Sequence, residues 1–125
     1  MKFMKSKLFF IGVLAILLAA IVFVSCHKSN SSNAVTAASV SIRNMAFNPG
    51  TVSVTTGATV TWTNSDTTIH TVTADDGSFN SGNIAVGATY SRAFSSAGTF
   101  SYHCTIHPEM TGKVVVTTAT SGGGY

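Results

Sequence analysis

The sequence predicts an all-β fold, a Greek-key β-sandwich of about seven to eight strands, from three features of residues 38–118. Short runs of β-branched and aromatic residues recur there, separated by residues that favour turns. Apolar and polar residues alternate within several runs, as in Val52-Ser53-Val54, which is typical of a half-buried antiparallel strand. No run has the 3.6-residue periodicity of an amphipathic helix. Strands of this number and spacing are typical of a sandwich.

The turn residues divide this region into seven predicted strands. Turns are expected at 48–50, 56–57, 75–77 and 96–98, each of which contains a glycine, in two cases beside proline, asparagine or aspartate. The predicted strands are Val40 to Phe47, Val52 to Thr55, Ala58 to Asn64, His70 to Ala74, Thr89 to Phe94, Thr99 to Cys104 and Lys113 to Thr118.

The first 25 residues have the layout of a signal peptide, because three lysines precede the apolar run 8–24. The Ser25-Cys26 pair that follows resembles the cleavage site of bacterial lipoproteins, which implies a lipidated Cys26 at the mature N-terminus. An uncleaved membrane anchor and a soluble secreted form are the alternatives. All three place the domain outside the cytoplasm, on the periplasmic or cell-surface face of a membrane if it is anchored.

The segments on either side of the predicted domain are small and polar. Residues 26–37 combine the lipidated cysteine with a flexible tether, and residues 119–125 form a glycine-rich tail that we expect to be disordered. Without the signal peptide, four cations balance four anions. A neutral domain argues against nucleic acid as a partner, since phosphate binding needs an excess of basic residues.

A soft set of metal ligands follows the sixth predicted strand. Cys104, His107 and Met110 bring a thiolate, an imidazole and a thioether together within seven residues. A trigonal site of two histidines and a cysteine with a weak axial methionine is typical of blue-copper electron-transfer centres. Zinc is the alternative metal, but the thioether favours copper.

A second histidine ligand has to come from elsewhere in the chain. His103 is adjacent to Cys104, and successive side chains of a strand point to opposite faces, so His103 cannot share the metal. His27 lies in the polar tether. The remaining histidine, His70, begins a β-prone stretch from which a loop can direct its ring into the core.

The pattern around these residues resembles that of the cupredoxins, and most of all that of the amicyanins and plastocyanins. The resemblance covers residues 38–118 and rests on Met45, Phe47, Pro49, Val60-Thr61-Trp62, His70 and the run Tyr102-His103-Cys104-Thr105-x-His107-Pro108-x-Met110. It implies one copper ion held by His70, Cys104, His107 and Met110. It leaves open whether Met45 and Phe47 pack in the core or line the surface near His107.

This sequence departs from the amicyanin pattern at two positions. Amicyanins often have an asparagine after the first histidine, where its side chain helps to tie the ligand loops together, but this chain has Thr71. Ile106 stands where a loop proline is expected. Both changes affect the hydrogen bonds around the ligands, and therefore the reduction potential.

These features predict a copper protein that carries single electrons between a redox protein donor and an acceptor, as a monomer attached to the membrane by its lipid. A copper-delivery protein of the same fold is the alternative. We do not expect an enzyme. A catalytic copper like that of the copper nitrite reductases needs three further histidines, and only His27 and His103 remain.

Overall fold

The computed structural model describes residues 35–120, which lie within one compact unit, Ser31–Tyr125. The predicted signal peptide, Cys26 and the last five residues lie outside this range. Among the described residues, no helix is long and apolar enough to cross a membrane. The strands are β1 Ala37–Arg43, β2 Ala46–Asn48, β3 Thr51–Thr55, β4 Ala58–Asn64, β5 Thr73–Ala74, β6 Thr89–Phe94, β7 Gly98–His103 and β8 Thr111–Thr117.

The eight strands of residues 35–120 form two four-stranded sheets, which confirms the predicted all-β sandwich. The order is β2-β1-β4-β6 in the first sheet and β3-β8-β7-β5 in the second. The pairs β1–β4 and β3–β8 are parallel, so both sheets are mixed and the expectation of antiparallel pairing was wrong for these pairs. Alternation of apolar and polar residues indicates that one face of a strand is buried. It does not indicate whether the neighbouring strand runs parallel or antiparallel.

The core lies between the sheets and consists of the apolar positions that alternate along the strands. Trp62 on β4 is fully buried, and its ring contacts the Tyr102 ring edge-on with centroids 5.5 Å apart. Phe47 is 4% exposed, so it belongs to the core. Met45 is 41% exposed, so it lies at the surface and not in the core.

The predicted strand from Val40 to Phe47 is interrupted by a turn, so this prediction was wrong. Asn44 and Met45 have φ of 54° and 58°, and Arg43 pairs with Ala46 across them. Two consecutive left-handed residues form the type of two-residue turn that joins antiparallel strands. Asparagine tolerates this conformation, but methionine rarely adopts it, so the sequence does not reveal the turn. An amide hydrogen bond from Met45 to Asp66 Oδ2 of 2.9 Å holds it in place.

The predicted strand from His70 to Ala74 was also wrong over its first half, since only Thr73–Ala74 pairs as a strand. The preceding amides bond to side chains: Thr71 N–H donates to Cys104 Sγ and Val72 N–H donates to Ser81 Oγ. This stretch is therefore a loop between the sheets that can present His70 to the end of β7.

Candidate metal centre

The loop between β7 and β8 is closed by its own backbone. Cys104 N–H donates to the Met110 carbonyl at 3.0 Å, and Met110 N–H donates to the His107 carbonyl at 2.9 Å. Pro108 adds stiffness, because its ring fixes one backbone angle and restricts the residue before it. The loop therefore holds three candidate ligands at one end of the sandwich.

The end of β7 and Cys104, the residue that follows it, keep the predicted alternation. Tyr102 and Cys104 are fully buried, and the sulfur of Cys104 is a free thiol. His103 points to the other face of the sheet, where its Nδ1 lies 2.6 Å from Asp75 Oδ1. His103 is therefore separated from Cys104 by the strand, as expected.

His70 and the ligand loop bring three donor atoms together. His70 is fully buried, and its Nδ1 lies 3.7 Å from Cys104 Sγ. His107 is half-buried, and its Nδ1 lies 3.8 Å from the same sulfur. All three donor atoms lie within 4.8 Å of one another, and Met110 is 2% exposed in the loop that supplies two of them. The four residues are positioned as ligands of one metal ion.

These separations fit a trigonal metal ion. Bond lengths of about 2.3 Å to sulfur and about 2.0 Å to nitrogen, at angles of roughly 120°, place sulfur and nitrogen about 3.7 Å apart. The two sulfur–nitrogen distances agree with this value. A thiolate and two imidazoles with a methionine nearby are the donor set typical of blue copper.

The loop that carries His70 is built on Asn64, a fully buried residue at the end of β4. Its side-chain amide donates to the carbonyls of Thr68 at 2.8 Å and Ile84 at 2.9 Å. Its Oδ1 accepts the amide hydrogen of Asp66 at 3.0 Å. The three hydrogen bonds satisfy the buried amide of Asn64. They also fix the path of the chain between β4 and His70.

Asp66 fixes the orientation and the proton of the His70 ring. Its carboxylate accepts the amide hydrogens of Met45 and Thr67, which, with a smaller effect of His70, hold the pKa of Asp66 below its usual range. The ionised carboxylate can only accept, and its Oδ2 lies 3.1 Å from His70 Nε2. Nε2 therefore carries the proton, and Nδ1 presents its lone pair toward Cys104.

Thr71 links the two segments that supply ligands. Its backbone N–H donates to Cys104 Sγ at 3.3 Å. Its hydroxyl oxygen accepts the backbone N–H of Thr105 at 2.8 Å. A threonine hydroxyl thus ties the loops where the amicyanin pattern has an asparagine. Ile106, the second departure, is 47% exposed.

The four ligand candidates were predicted from the sequence, whereas Asp66 and Asn64 were missed as functional residues. Asp66 lies four residues before His70 in a short polar loop, and that spacing is the signal by which it could have been found. For Asn64 the signal is weaker: a polar residue stands at an inward position of a strand, where apolar residues are expected.

Comparisons with known proteins agree with this geometry. The family model of the cupredoxin-like domain matches residues 14–116. Amicyanin-alpha of Methylorubrum extorquens is 38% identical over 82 residues, which are 62% of this chain and 69% of that protein. Amicyanin of Paracoccus denitrificans is 37% identical over 82 residues, 62% of this chain and 63% of that protein.

Solved structures extend the similarity to the fold. A methionine-to-alanine mutant of amicyanin in its Cu(I) form superposes with a TM-score of 0.61 at 36% identity, over 65% of this chain and 82% of that one. The fold, the converging donors and the family match agree with one another. The chain therefore belongs to the cupredoxin-like family of blue copper electron-transfer proteins.

Proposed function

We propose that this protein carries single electrons between redox proteins outside the cytoplasm, with one copper ion bound by His70, Cys104, His107 and Met110. The observation that supports the proposal is the convergence of three donor atoms from two loops onto one point at the end of the sandwich. Of the four proposed ligands, His70, Cys104 and Met110 are buried, so water is excluded from most of the site.

Bound copper supplies a one-electron couple between Cu(II) and Cu(I). The protein supplies donors that do not move when the charge changes. Asp66 holds the His70 ring, and the Thr71 amide together with the loop backbone holds the Cys104 sulfur. Donors fixed in this way lower the reorganisation that accompanies electron transfer. His107 is the more exposed of the two imidazoles, so electrons reach a partner over the shortest distance through its ring.

A carrier fits the described residues better than an enzyme. In residues 35–120, the group described above is the only set of three or more histidine, cysteine or acidic side chains that could hold a metal ion. His103, the candidate for a second copper, pairs instead with Asp75. A copper-delivery protein remains the second candidate, because the same donors could pass an ion to an acceptor.

The decisive experiment is visible spectroscopy of the purified protein during titration with Cu(II). We expect an intense thiolate-to-copper band that saturates at one equivalent and is absent in Cys104→Ser. His103→Ala is the matched control, since it removes the neighbouring side chain and should leave the band in place. A colourless protein that prefers zinc would contradict the proposal. Loss of the copper to an acceptor during redox cycling would favour delivery over electron transfer.

We further propose that the protein is exported as a monomer and is held at the membrane by a lipid on Cys26, facing the periplasm or the cell surface. The support is the sequence from Met1 to Cys26, with its lysines, apolar run and Ser25-Cys26 pair. A tether of about eleven residues reaches on the order of 17–20 Å, which would let an anchored domain turn toward its partners.

A further inference from the structure

A row of polar side chains leads from the ligand loop to the protein surface. Thr105 Oγ1 lies 3.0 Å from Thr71 Oγ1, and Thr71 Oγ1 lies 3.1 Å from Thr73 Oγ1. Thr73 Oγ1 donates to Asn80 Oδ1 at 3.3 Å. Thr71 is buried and Asn80 is exposed, so the row crosses from the metal site to solvent.

The hydrogen bonds of this row run in one direction. Asn80 Oδ1 accepts the Gly82 amide hydrogen at 2.8 Å, which identifies it as the amide oxygen, an acceptor only. Thr73 must therefore donate to Asn80, and because a hydroxyl has one hydrogen, it must accept from Thr71. Thr71 in turn accepts from the Thr105 hydroxyl and from the Thr105 amide.

This direction uses the full capacity of the Thr71 hydroxyl, which can donate one hydrogen bond and accept two. Its hydrogen points to Thr73, so both lone pairs face Thr105, the residue that follows Cys104. Without an acceptor at Thr73, the hydrogen would turn to Thr105 Oγ1, and one lone pair would leave the ligand loop.

The outer end of the row is fixed by backbone contacts. Thr73 and Asn80 form an isolated antiparallel bridge. The neighbouring Val72 and Ser81 exchange two further bonds, from Ser81 N–H to the Val72 carbonyl and from Val72 N–H to Ser81 Oγ. The segment around Asn80 is therefore docked on the stretch that follows His70.

We propose that Thr73 and Asn80 are positioning residues of the copper site, which act through the Thr71 hydroxyl to hold Thr105 and the start of the ligand loop. Neither residue touches the donor atoms. Chains of hydrogen bonds polarise one another in a protein interior, so the bond from Thr105 N–H to Thr71 weakens when the outer links are removed. Two measurements test this inference, and only the second, made on the copper-loaded protein, depends on the proposed function.

The first readout is amide hydrogen exchange of Thr105 in the copper-free protein. In Thr73→Val, which keeps the shape and removes the hydroxyl, we expect exchange to be faster by up to about fivefold, the factor that would correspond to complete loss of a hydrogen bond worth roughly 1 kcal/mol. Asn80→Ala should act in the same direction. Thr73→Ser and Asn80→Asp keep the donor and the acceptor, and both should exchange as the wild type does.

The second readout is the electron paramagnetic resonance spectrum of the Cu(II) protein, which should change in Thr73→Val and return in Thr73→Ser. Thr99→Val, on the exposed face of β7, is the control for a hydroxyl lost outside the row. An acceleration that also includes the core amides of β4 would reflect global destabilisation and would overturn the proposal. Unchanged Thr105 exchange in Thr73→Val would overturn it too, whether or not the protein binds copper, so this failure is separate from failure of the proposed function.

Discussion

Asp66 Oδ2 lies 3.1 Å from Nε2 of His70, on the side of the ring opposite the nitrogen that faces Cys104. Asp75 makes a comparable contact with His103, 2.6 Å from Oδ1 to Nδ1, but His103 faces away from the metal site. Residues 35–120 thus contain two carboxylate–histidine pairs, and only one of them includes a proposed ligand.

We expect Asp66→Ala to weaken copper binding by about 10- to 100-fold, the usual effect of removing a carboxylate that orients a ligand histidine. The ring of His70 would lose the acceptor that fixes its proton on Nε2. A competition titration with a copper chelator measures the change. Asp75→Ala is the matched control and should bind copper as the wild type does; equal losses in both variants would contradict the assigned role of Asp66.

We expect Gly112→Ala to destabilise the fold. A Cβ atom at this position would lie 2.5 Å from both Cζ and Oη of Tyr102, whose ring is fully buried and packs against the rings of Phe47 and Trp62. The expected loss in the free energy of unfolding is about 1–3 kcal/mol, typical of an overpacked core. Urea unfolding measures it.

Gly50→Ala is the control for Gly112→Ala, because the nearest atom to its Cβ would be the Phe47 carbonyl oxygen at 3.8 Å. Its stability should stay close to that of the wild type. A Gly112→Ala protein as stable as Gly50→Ala would show that the Tyr102 ring has room to shift.

We expect stability to fall at high pH because of Tyr102. Burial raises the pKa of Tyr102 to about 12, and the neighbouring Trp62 side chain opposes part of this rise. The folded protein therefore holds the phenol proton more tightly than the unfolded chain, whose tyrosine titrates near pH 10. The stabilisation is complete below pH 10 and is lost as the pH rises toward 12. Urea unfolding at several pH values should show a smaller decline for Tyr102→Phe; parallel declines in both proteins would exclude this contribution.

We expect mass spectrometry of the membrane fraction to find an acylated Cys26 at the mature N-terminus. Cys26→Ser should release the protein from the membrane or leave the signal segment uncleaved, because the acceptor thiol is gone. Cys104→Ser is the matched control, since it removes the other cysteine and should leave the acylation unchanged. An intact Met1 in the wild-type protein would point to the uncleaved anchor instead.

Much of the fold could be predicted because its signals are local. Five of the seven predicted strands agree with the structure to within about two residues at each end, as for Ala58–Asn64 and Thr89–Phe94. The two that failed contain a turn without glycine, at Asn44-Met45, and a loop whose amides bond to side chains, at Thr71 and Val72. In both cases the composition is typical of a strand, but hydrogen bonds to residues distant in the sequence stabilise a different backbone conformation.

The sequence by itself determined the ligand loop, because Cys104, His107 and Met110 are close along the chain and the two-residue period of β7 excludes His103. Only the tertiary structure decided how His70 is held, since Asp66 depends on the turn at Met45 and Thr71 depends on Thr105 across 34 residues. It also decided that β1 pairs with β4, and β3 with β8, in parallel. The physical reason is that side-chain periodicity specifies which face of a strand is buried, whereas hydrogen bonds between distant segments depend on which partners the folded chain brings together.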